Sequence, residues 1–476
     1  MPEVWYLKEL RDRYKEIRGL KKEKARLEKE LAEEKRKREQ AEQELKNISQ
    51  RKASKKPRFS DYSMRGQEKK MNRRSHKKSS GRRTTIEKIG EAELMKNVYP
   101  KGAPFRQCRY VRSRTVTRLI NGKAVRLLYR IFETKDGSKQ GQMPDVFEQG
   151  EYGIEVAVAL ALLVYGIEVS IEQSCSILRA FCGLSLSKSQ ANVLLQQLST
   201  LWGKDFDALK DLIALAMVVY MDETGWKVAA KNCYTWIFTT LLHTVLLYGK
   251  SRKEDVLDDI LPRDLFEGIG VSDCLKIYEK RFKKAQKCWA HFIRTAIRLM
   301  LDCPDNKEFK KFFHALYTIF SDAKKAQQNK ALTDVERTEI VSALLSRITS
   351  LCSRSAEKIP KSAAKEWREF VNLQKRLIRN IDDLFTFVLV PEVEATNNRA
   401  ERGFRKTAKA RNNYQTSKTT KGADRRSVIA SVLTSLQQNL PLFTLQSITE
   451  EVVRWRTDGI SLFQRQLQAL RLKTSP

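Results

Sequence analysis

The fold is decided by the stretch AMVVYMDETGW at residues 216–226, an apolar run that leads into Asp222 and Glu223. Two similar runs follow it, CYTWIF at 233–238 and TVLLY at 244–248. Short runs of β-branched and aromatic residues separated by turn residues are typical of strands. The three runs in quick succession therefore predict an antiparallel meander, with two acids on its first strand.

A helix and a fourth strand continue this pattern. Residues 253–261 have helical spacing, and GIGVSD at 268–273 is a short apolar run that again ends on an acid, Asp273. Three strands, a helix and a fourth strand, with acids on the first and fourth strands, is the order of a ribonuclease H-like fold. The sequence thus predicts an α/β catalytic core of ribonuclease H-like type.

Acids on neighbouring strands indicate a particular chemistry. Two Mg²⁺ ions about 4 Å apart stabilise both the attacking and the leaving oxygen when a phosphodiester is displaced in line. Because Mg²⁺ prefers oxygen ligands, carboxylates must converge on one place, and a third acid normally comes from a later helix. The candidates for the third acid are Asp382, Asp383, Glu392, Glu394, Glu401 and Asp424.

Glu401 differs from the other candidates in its surroundings. TNNRAER at 396–402 has the form of a capped helix start, and Glu401 falls in the first turn, where the helix dipole favours an anion. Residues 399–426 carry ten basic residues against Glu401 and Asp424, and we expect this segment to hold a DNA backbone. A salt-bridged acid on a basic surface helix is the alternative interpretation of Glu401.

Four blocks resemble the signature blocks of the insertion sequence sixty-six family of DDE transposases. They are MDETGW at 221–226, SDCLKIY at 272–278, KCWAHFIR at 287–294 and TNNRAERGFR at 396–405, and their order and spacing also fit. The matched region covers about 220–440. The resemblance implies a ribonuclease H-like core with an all-α insertion, and DNA cleavage at element ends followed by strand transfer. It also implies two Mg²⁺ (or Mn²⁺) ions per active site.

The resemblance assigns catalysis and metal binding to Asp222, Asp273 and Glu401. Strand alternation alone leaves open whether Asp222 or Glu223 faces the site. The same blocks give three candidate supporting residues, each of which has an ordinary structural alternative: Trp226, His291 and Asn398. Cys288 and His291 have the spacing of half a zinc site, but no partner pair is visible, so the sequence does not favour zinc.

The charge of the chain indicates a polyanionic partner. Its 476 residues carry a formal net charge of +34, which favours double-stranded DNA. Residues 1–50 have heptad-like apolar spacing, which predicts a coiled coil and a homo-oligomer, with a solvated helix as the alternative. The basic residues predicted to contact DNA are Lys55, Lys56, Arg73, Arg74, Lys77, Lys78, Arg82, Arg83, Arg399, Arg402, Arg405 and Lys406.

The remaining segments complete the predicted organisation. Asn121-Gly122 is a strong hairpin signal, and Ser170 and Ser187 are candidate helix N-caps around Gly183. Two helices around a glycine fit a helix-turn-helix and also an ordinary helical hairpin. The predicted domains are the coiled coil 1–50, a basic disordered linker 51–90, a small β module 91–145, a helical region 146–205, the core in two parts at 206–291 and 391–440, an all-α insertion 292–390, and a helical tail 441–476.

Several classes of protein do not fit the sequence. The longest apolar run, at 156–167, has 12 residues, whereas a membrane span needs about 20. The eight cysteines form no C-x-x-C pair, and the N-terminus has no signal pattern, so we expect a cytoplasmic, nucleoid-associated prokaryotic protein. The resemblance also implies accessory proteins encoded by the same element. A non-catalytic, domesticated DNA-binding protein and a nuclease on the same fold are the alternative functions.

Overall fold

The computed structural model describes residues 92–148, 150–263, 265–360, 362–414 and 416–474. The predicted coiled coil 1–50 and basic linker 51–90 therefore lie outside the described residues. The same holds for eight of the predicted DNA-contacting residues, Lys55, Lys56, Arg73, Arg74, Lys77, Lys78, Arg82 and Arg83.

A three-stranded sheet opens the described part of the chain. Its strands are β1 (Leu94–Val98), β2 (Cys108–Ile120) and β3 (Lys123–Thr134), in the order β1-β3-β2. The strands β2 and β3 form an antiparallel hairpin, and β1 runs parallel to β3. Asn121 and Gly122 join the hairpin with φ values of 49° and 76°, the left-handed conformation that a two-residue turn of this type requires. The predicted hairpin is confirmed.

A helical region follows this sheet. Its helices are α1 (Ile154–Ala161), α2 (Ile171–Cys182), α3 (Lys188–Leu201) and α4 (Gly203–Ala214). Every residue of α1 is buried, and it continues into a π-helical turn at Leu162–Gly166. Ser170 and Ser187 begin α2 and α3 with capping boxes, and Gly183 ends α2 with φ 67°, as the sequence predicts.

The central sheet has five strands, in the order β6-β5-β4-β7-β8. They are β4 (Val218–Val228), β5 (Lys231–Thr239), β6 (Thr244–Lys250), β7 (Ile269–Ser272) and β8 (Lys284–Lys287), with helix α5 (Asp255–Ile260) between β6 and β7. The first three strands are the predicted antiparallel meander, and β4, β7 and β8 are parallel to one another.

The strand β4 extends further than its apolar run predicts. It pairs with β5 up to Val228, so Asp222 lies in the middle of the strand and not at its end. Ala229 and Ala230 form the turn with φ values of 49° and 64°, without the asparagine or glycine that usually identifies such a turn in a sequence. This extension places Asp222 over the centre of the sheet.

The rest of the chain is helical. The helices are α6 (Trp289–Asp302), α7 (Lys307–Gln328), α8 (Asp334–Leu351), α9 (Lys365–Arg379), α10 (Thr386–Leu389), α11 (Asn398–Gly403), α12 (Arg405–Tyr414), α13 (Thr420–Asn439), α14 (Leu445–Asp458) and α15 (Leu462–Thr474). The helices α6 to α10 stand in the chain between the two parts of the predicted core. Among the described helices, none combines the length and the apolar character needed to cross a membrane.

The helix α13 covers the free edge of the central sheet. Ser427, Ser431 and Ser435 are buried at four-residue spacing, and their Oγ atoms accept hydrogen bonds of 2.8–2.9 Å from alternate backbone N–H groups of β6. An unpaired strand edge exposes backbone donors that must find partners. The three serines supply those partners, so the sheet ends at β6.

Asp205 provides a test of the packing of α4. Its side chain is 4% exposed, and burial, followed by the nearby Glu451, raises its pKa to about 6, while a hydrogen bond with Ser461 lowers it. A carboxyl with a raised folded-state pKa destabilises the protein increasingly as the pH rises through that pKa. We expect Asp205→Asn to raise the free energy of unfolding by about 2–3 kcal/mol at pH 7, and by less than about 1 kcal/mol at pH 4.

Thermal unfolding at the two pH values measures this difference. Asp207→Asn is the matched control, because Asp207 lies on the same helix but is exposed, and it should change the stability by less than about 0.5 kcal/mol. A gain from Asp205→Asn that is equally large at both pH values would show that burial of charge is not its cause.

Candidate active site

Asp222 is surrounded by other carboxylates. Burial, together with the charges of Glu223, Asp273 and Glu401, raises its pKa to about 7. The backbone N–H of Glu223 donates a 2.9 Å hydrogen bond to the Asp222 carboxylate, and this bond lowers the pKa of Asp222. The structure therefore brings the three predicted acids close enough for their charges to interact.

The register of β4 and β7 explains the approach of the two aspartates. Tyr220 lies opposite Val271 in this parallel pair. Two residues further along each strand direction, Asp222 is level with Asp273, which directly follows β7. The backbone N–H of Leu275 donates a 2.9 Å hydrogen bond to Asp273 Oδ1 and fixes the carboxylate in the turn.

The side chain of Asn397 attaches α11, and with it Glu401, to the central sheet. Its Nδ2 donates a 2.8 Å hydrogen bond to the carbonyl oxygen of Met221, the residue before Asp222, and its backbone N–H donates to Cys288 Sγ at 3.1 Å. The predicted supporting residue Asn398 is exposed on the first turn of α11. The hydrogen bond to β4 therefore comes from Asn397, which the sequence did not single out because both asparagines belong to the same block.

Gly403 permits the close approach of α11 to β5. A Cβ at this position would overlap the Cδ1 atom of the buried Ile237. Any larger residue therefore has to displace either the helix or the side chain beneath it. The glycine at the end of TNNRAERG is thus part of what positions Glu401.

Glu401 has its own set of neighbours. Arg294 Nη2 donates a 2.9 Å hydrogen bond to Glu401 Oε1, and His291 Nε2 lies 3.9 Å from the same oxygen. The ligand atoms of Cys288, His291 and Glu401 all lie within 4.8 Å of one another. The three predicted acids do not form such a tight group among the described residues. Glu401 therefore interacts with Asp222 through charge while it contacts α6 directly.

Glu223 is occupied by partners of its own. Its side chain is 1% exposed, and it accepts 2.7 Å hydrogen bonds from the Tyr278 hydroxyl and from Arg252. Burial raises its pKa, and these two bonds lower it. Strand alternation alone left open whether Asp222 or Glu223 is the ligand. Because Glu223 is engaged inside the protein by Tyr278 and Arg252, the structure favours Asp222.

The acids fit a divalent cation by their chemistry. Oxygen ligands are what Mg²⁺ and Mn²⁺ prefer, and carboxylates that raise one another's pKa are stabilised by a bound positive charge. The register that sets Asp222 level with Asp273 supports this fit, and the raised pKa of Asp222 agrees with it. Asp222, Asp273 and Glu401 are the residues that would hold the ions.

Two of the predicted DNA-contacting residues make contacts within the protein. Arg399 pairs with Glu394 at 2.6 Å and lies over the ring of Tyr220 at 5.2 Å. Lys406 is half-buried and donates to Gln437 at 3.1 Å, and burial lowers its pKa. Both residues therefore contribute to the packing of α11 and α12 against their neighbours.

The other predicted residues divide between surface and core. Arg402 and Arg405 are exposed on α11 and α12. Trp226 is buried, and its Nε1 donates a 3.1 Å hydrogen bond to Ser417 Oγ. The structure thus favours the core interpretation of Trp226 over stacking on a DNA end.

Arg426 requires a correction. The sequence places it in the basic segment 399–426 that we expected to hold DNA, but its side chain is 4% exposed and pairs with Glu168, which is 2% exposed. Its guanidinium also lies over three aromatic rings, those of Tyr165, Trp226 and Tyr248, at 4.9–5.5 Å. The expectation is wrong for Arg426 because α13 turns this side chain toward the interior.

The residues of this site lie within a match to a known family. A model of the family described as "Transposase IS66 family" matches residues 150–425, which is more than half of the chain. No curated protein matches the chain. The matched range includes Asp222, Asp273 and Glu401, but it ends before α14 and α15.

Proposed function

The chain belongs to the IS66 transposase family, which implies an enzyme that acts on DNA, and we propose that it cleaves element ends and transfers them to target DNA. The observation that carries this proposal is the convergence of three acids: Asp222 on β4 is level with Asp273 after β7, and Asn397 holds α11, which bears Glu401, on β4. The charges of Asp273 and Glu401 both raise the pKa of Asp222, in keeping with this convergence. Such an arrangement suits metal-assisted displacement at a phosphodiester.

We propose a ribonuclease H-like core, which suits the same reaction. The strand order is β6-β5-β4-β7-β8, antiparallel in its first three strands and parallel in its last three, and Asp222 on β4 is level with Asp273, which directly follows the adjacent strand β7. We propose that residues 206–291 and 391–440 form this core and that 292–390 is an all-α insertion. The helices α7 to α10 lie within that interval, and α6 begins just before it, at Trp289.

The mechanism assigns each acid a role toward metal ions. Asp222, whose charge interacts with both other acids, would be the ligand common to two Mg²⁺ or Mn²⁺ ions, and Asp273 and Glu401 would each help to hold one of them. When bound, these ions activate the attacking oxygen and stabilise the leaving oxygen. Arg294 holds the Glu401 carboxylate by its 2.9 Å hydrogen bond, and Asn397 keeps α11 on β4.

The partners follow from charge and from the reaction. Arg402 and Arg405 bind DNA backbones together with the basic segment 51–85, by contacts that weaken with salt. Because two element ends must be brought together, we propose a homo-oligomer that the predicted coiled coil at 1–50 assembles. Accessory proteins of the same element, and a nucleoid-associated location in a prokaryotic cytoplasm, belong to the same proposal.

A joined-product assay tests the proposed function. Purified protein is mixed with a plasmid that carries the element's flanking ends and a target, with and without Mg²⁺. We expect Mg²⁺-dependent joined product, and we expect Glu401→Gln to lower it by about 10³-fold or more because one metal ligand is lost. Glu392→Gln removes an exposed acid that precedes α11 in the chain and is the matched control.

The outcomes separate the alternatives. Equal losses from Glu392→Gln and Glu401→Gln would contradict the assignment of the third acid. Cleavage without joined product would favour a nuclease on the same fold. Binding of the ends without cleavage, with all accessory products supplied, would favour a non-catalytic, domesticated DNA-binding protein.

A further inference from the structure

A second set of metal-binding groups shares Glu401 with the proposed catalytic site. Cys288 immediately precedes α6, and His291 lies in the first turn of the same helix, so both side chains meet α11 at Glu401. The Sγ of Cys288, the imidazole of His291 and the carboxylate of Glu401 lie within 4.8 Å of one another. A thiol and an imidazole beside a carboxylate form a ligand set that is typical of Zn²⁺, whereas Mg²⁺ prefers oxygen ligands alone.

We propose that Cys288, His291 and Glu401 form an inhibitory site for a thiophilic divalent cation such as Zn²⁺. A cation bound there engages Glu401 and withdraws it from Asp222 and Asp273. The binding itself is independent of the proposed function, whereas the inhibition rests on it.

The separation of the histidine nitrogen and the carboxylate oxygen suits a single tetrahedral ion. Zn²⁺ binds histidine nitrogen and carboxylate oxygen at about 2.0–2.2 Å, so two such ligands lie about 3.4 Å apart around the ion. His291 Nε2 and Glu401 Oε1 are 3.9 Å apart, so a shift of about half an ångström closes the pair on one ion. Both side chains have solvent on one side, and the ion would take the place of Arg294 Nη2, which donates a 2.9 Å hydrogen bond to the same Glu401 oxygen.

The site is closed at the thiol and open at the other two ligands. Cys288 is fully buried, while the side chains of His291 and Glu401 are 38% and 33% exposed. An ion can therefore enter from solvent, and a water molecule can occupy the fourth position. His291 Nδ1 is buried and has no hydrogen-bond partner among the described residues, which leaves the imidazole without a competing internal role.

The surroundings of the sulfur favour a thiolate once a metal is present. The backbone N–H of Asn397 donates to Cys288 Sγ at 3.1 Å, and backbone N–H groups of Ala290 and His291 also point to it. Burial acts in the opposite direction and raises the pKa of Cys288. Binding replaces the S–H bond with a metal–sulfur bond and releases the proton to water, a step that Zn²⁺ favours and Mg²⁺ does not.

Cobalt titration tests the site without any DNA. Co²⁺ replaces Zn²⁺ in such sites, and its bond to a thiolate gives a strong near-ultraviolet absorption band. We expect one equivalent of Co²⁺ to give this band with the full chain, and Zn²⁺ to remove it. Cys288→Ser should abolish the band, and His291→Ala should weaken Co²⁺ binding by about 10- to 100-fold.

Cys352→Ser is the matched control, because Cys352 is the other buried cysteine among the described residues and should leave the band unchanged. His291→Ala changes a part-exposed side chain, so it keeps the proposal testable if Cys288→Ser fails to fold. Absence of the band, or its survival in Cys288→Ser, would overturn the metal site.

The inhibition is measured, for the wild type and for each variant separately, as the ratio of DNA cleavage without Zn²⁺ to DNA cleavage with it. DNA cleavage is compared with and without Zn²⁺ at saturating Mg²⁺, and we expect Zn²⁺ to lower it at least about 10-fold in the wild type and far less in Cys288→Ser. Equal inhibition of the two proteins would overturn the regulatory role. A cobalt band in a protein that never cleaves DNA would instead retain the metal site and reject the proposed function.

Discussion

Replacing Asp222 by asparagine is expected to abolish DNA cleavage and at the same time to stabilise the metal-free protein. The carboxylate has a pKa of about 7 because it is buried and because Glu223, Asp273 and Glu401 repel its charge. As for any acid with a raised folded-state pKa, the destabilisation grows as the pH rises from about 4 and is complete above about 7. Asparagine keeps the size of the side chain and removes the charge.

The expected gain in the free energy of unfolding of Asp222→Asn is large. The displacement of the Asp222 pKa from its ordinary value corresponds to about 4 kcal/mol above pH 7, and relaxation around the site reduces this to about 2–4 kcal/mol. Thermal unfolding in a chelator at pH 8 and pH 5 measures it, and the gain should be smaller at pH 5. Added Mg²⁺ should stabilise the wild type and not Asp222→Asn, so the two unfolding midpoints converge.

Asp424→Asn is the control for this experiment. Asp424 is exposed on α13, so its replacement should change neither cleavage nor stability by a measurable amount. A loss of stability in Asp222→Asn at pH 8 would mean that the carboxylate serves the fold and is not held against repulsion for a metal ion.

Local patterns predict the strands and acids of the site but not the choice between adjacent acids. Short apolar runs predict the places of β4 to β7, but the turn at Ala229 and Ala230 has no turn residue, so the extension of β4 to Val228 is not predicted. The partners of Glu223, however, are Arg252 and Tyr278, which approach only when the sheet has formed. The alternation of side chains along a strand therefore does not show whether Asp222 or Glu223 will meet these partners.

The same limit explains the basic segment. Composition treats every arginine of 399–426 alike, because charge alone does not show which face of a helix is covered. The structure separates exposed residues such as Arg402 and Arg405 from Arg426, which meets Glu168 and three rings from distant parts of the chain. Contacts between residues far apart in sequence decide this difference.

Arg426→Met is expected to cost about 3–5 kcal/mol of stability, because removing one partner of a buried ion pair leaves the other charge in a poor environment. Glu168 is 2% exposed, and Arg426 lies 4.9–5.5 Å from three aromatic rings that a neutral side chain cannot attract in the same way. Chemical denaturation of the variant and of wild type measures the difference. The double variant Glu168→Gln/Arg426→Met should recover part of the loss, since it removes both charges.

The contrasting variant is Arg402→Ala/Arg405→Ala. Both side chains are exposed, so we expect it to leave the unfolding free energy within about 0.5 kcal/mol of wild type. We expect it to weaken binding to DNA and to reduce the dependence of that binding on salt, by about one counterion for each phosphate that the two arginines neutralise.

If Arg426→Met instead kept its stability and bound DNA more weakly, the guanidinium would have to leave its rings to reach DNA. That result would show that Arg426 binds DNA and that it takes the position over the three rings only when DNA is absent.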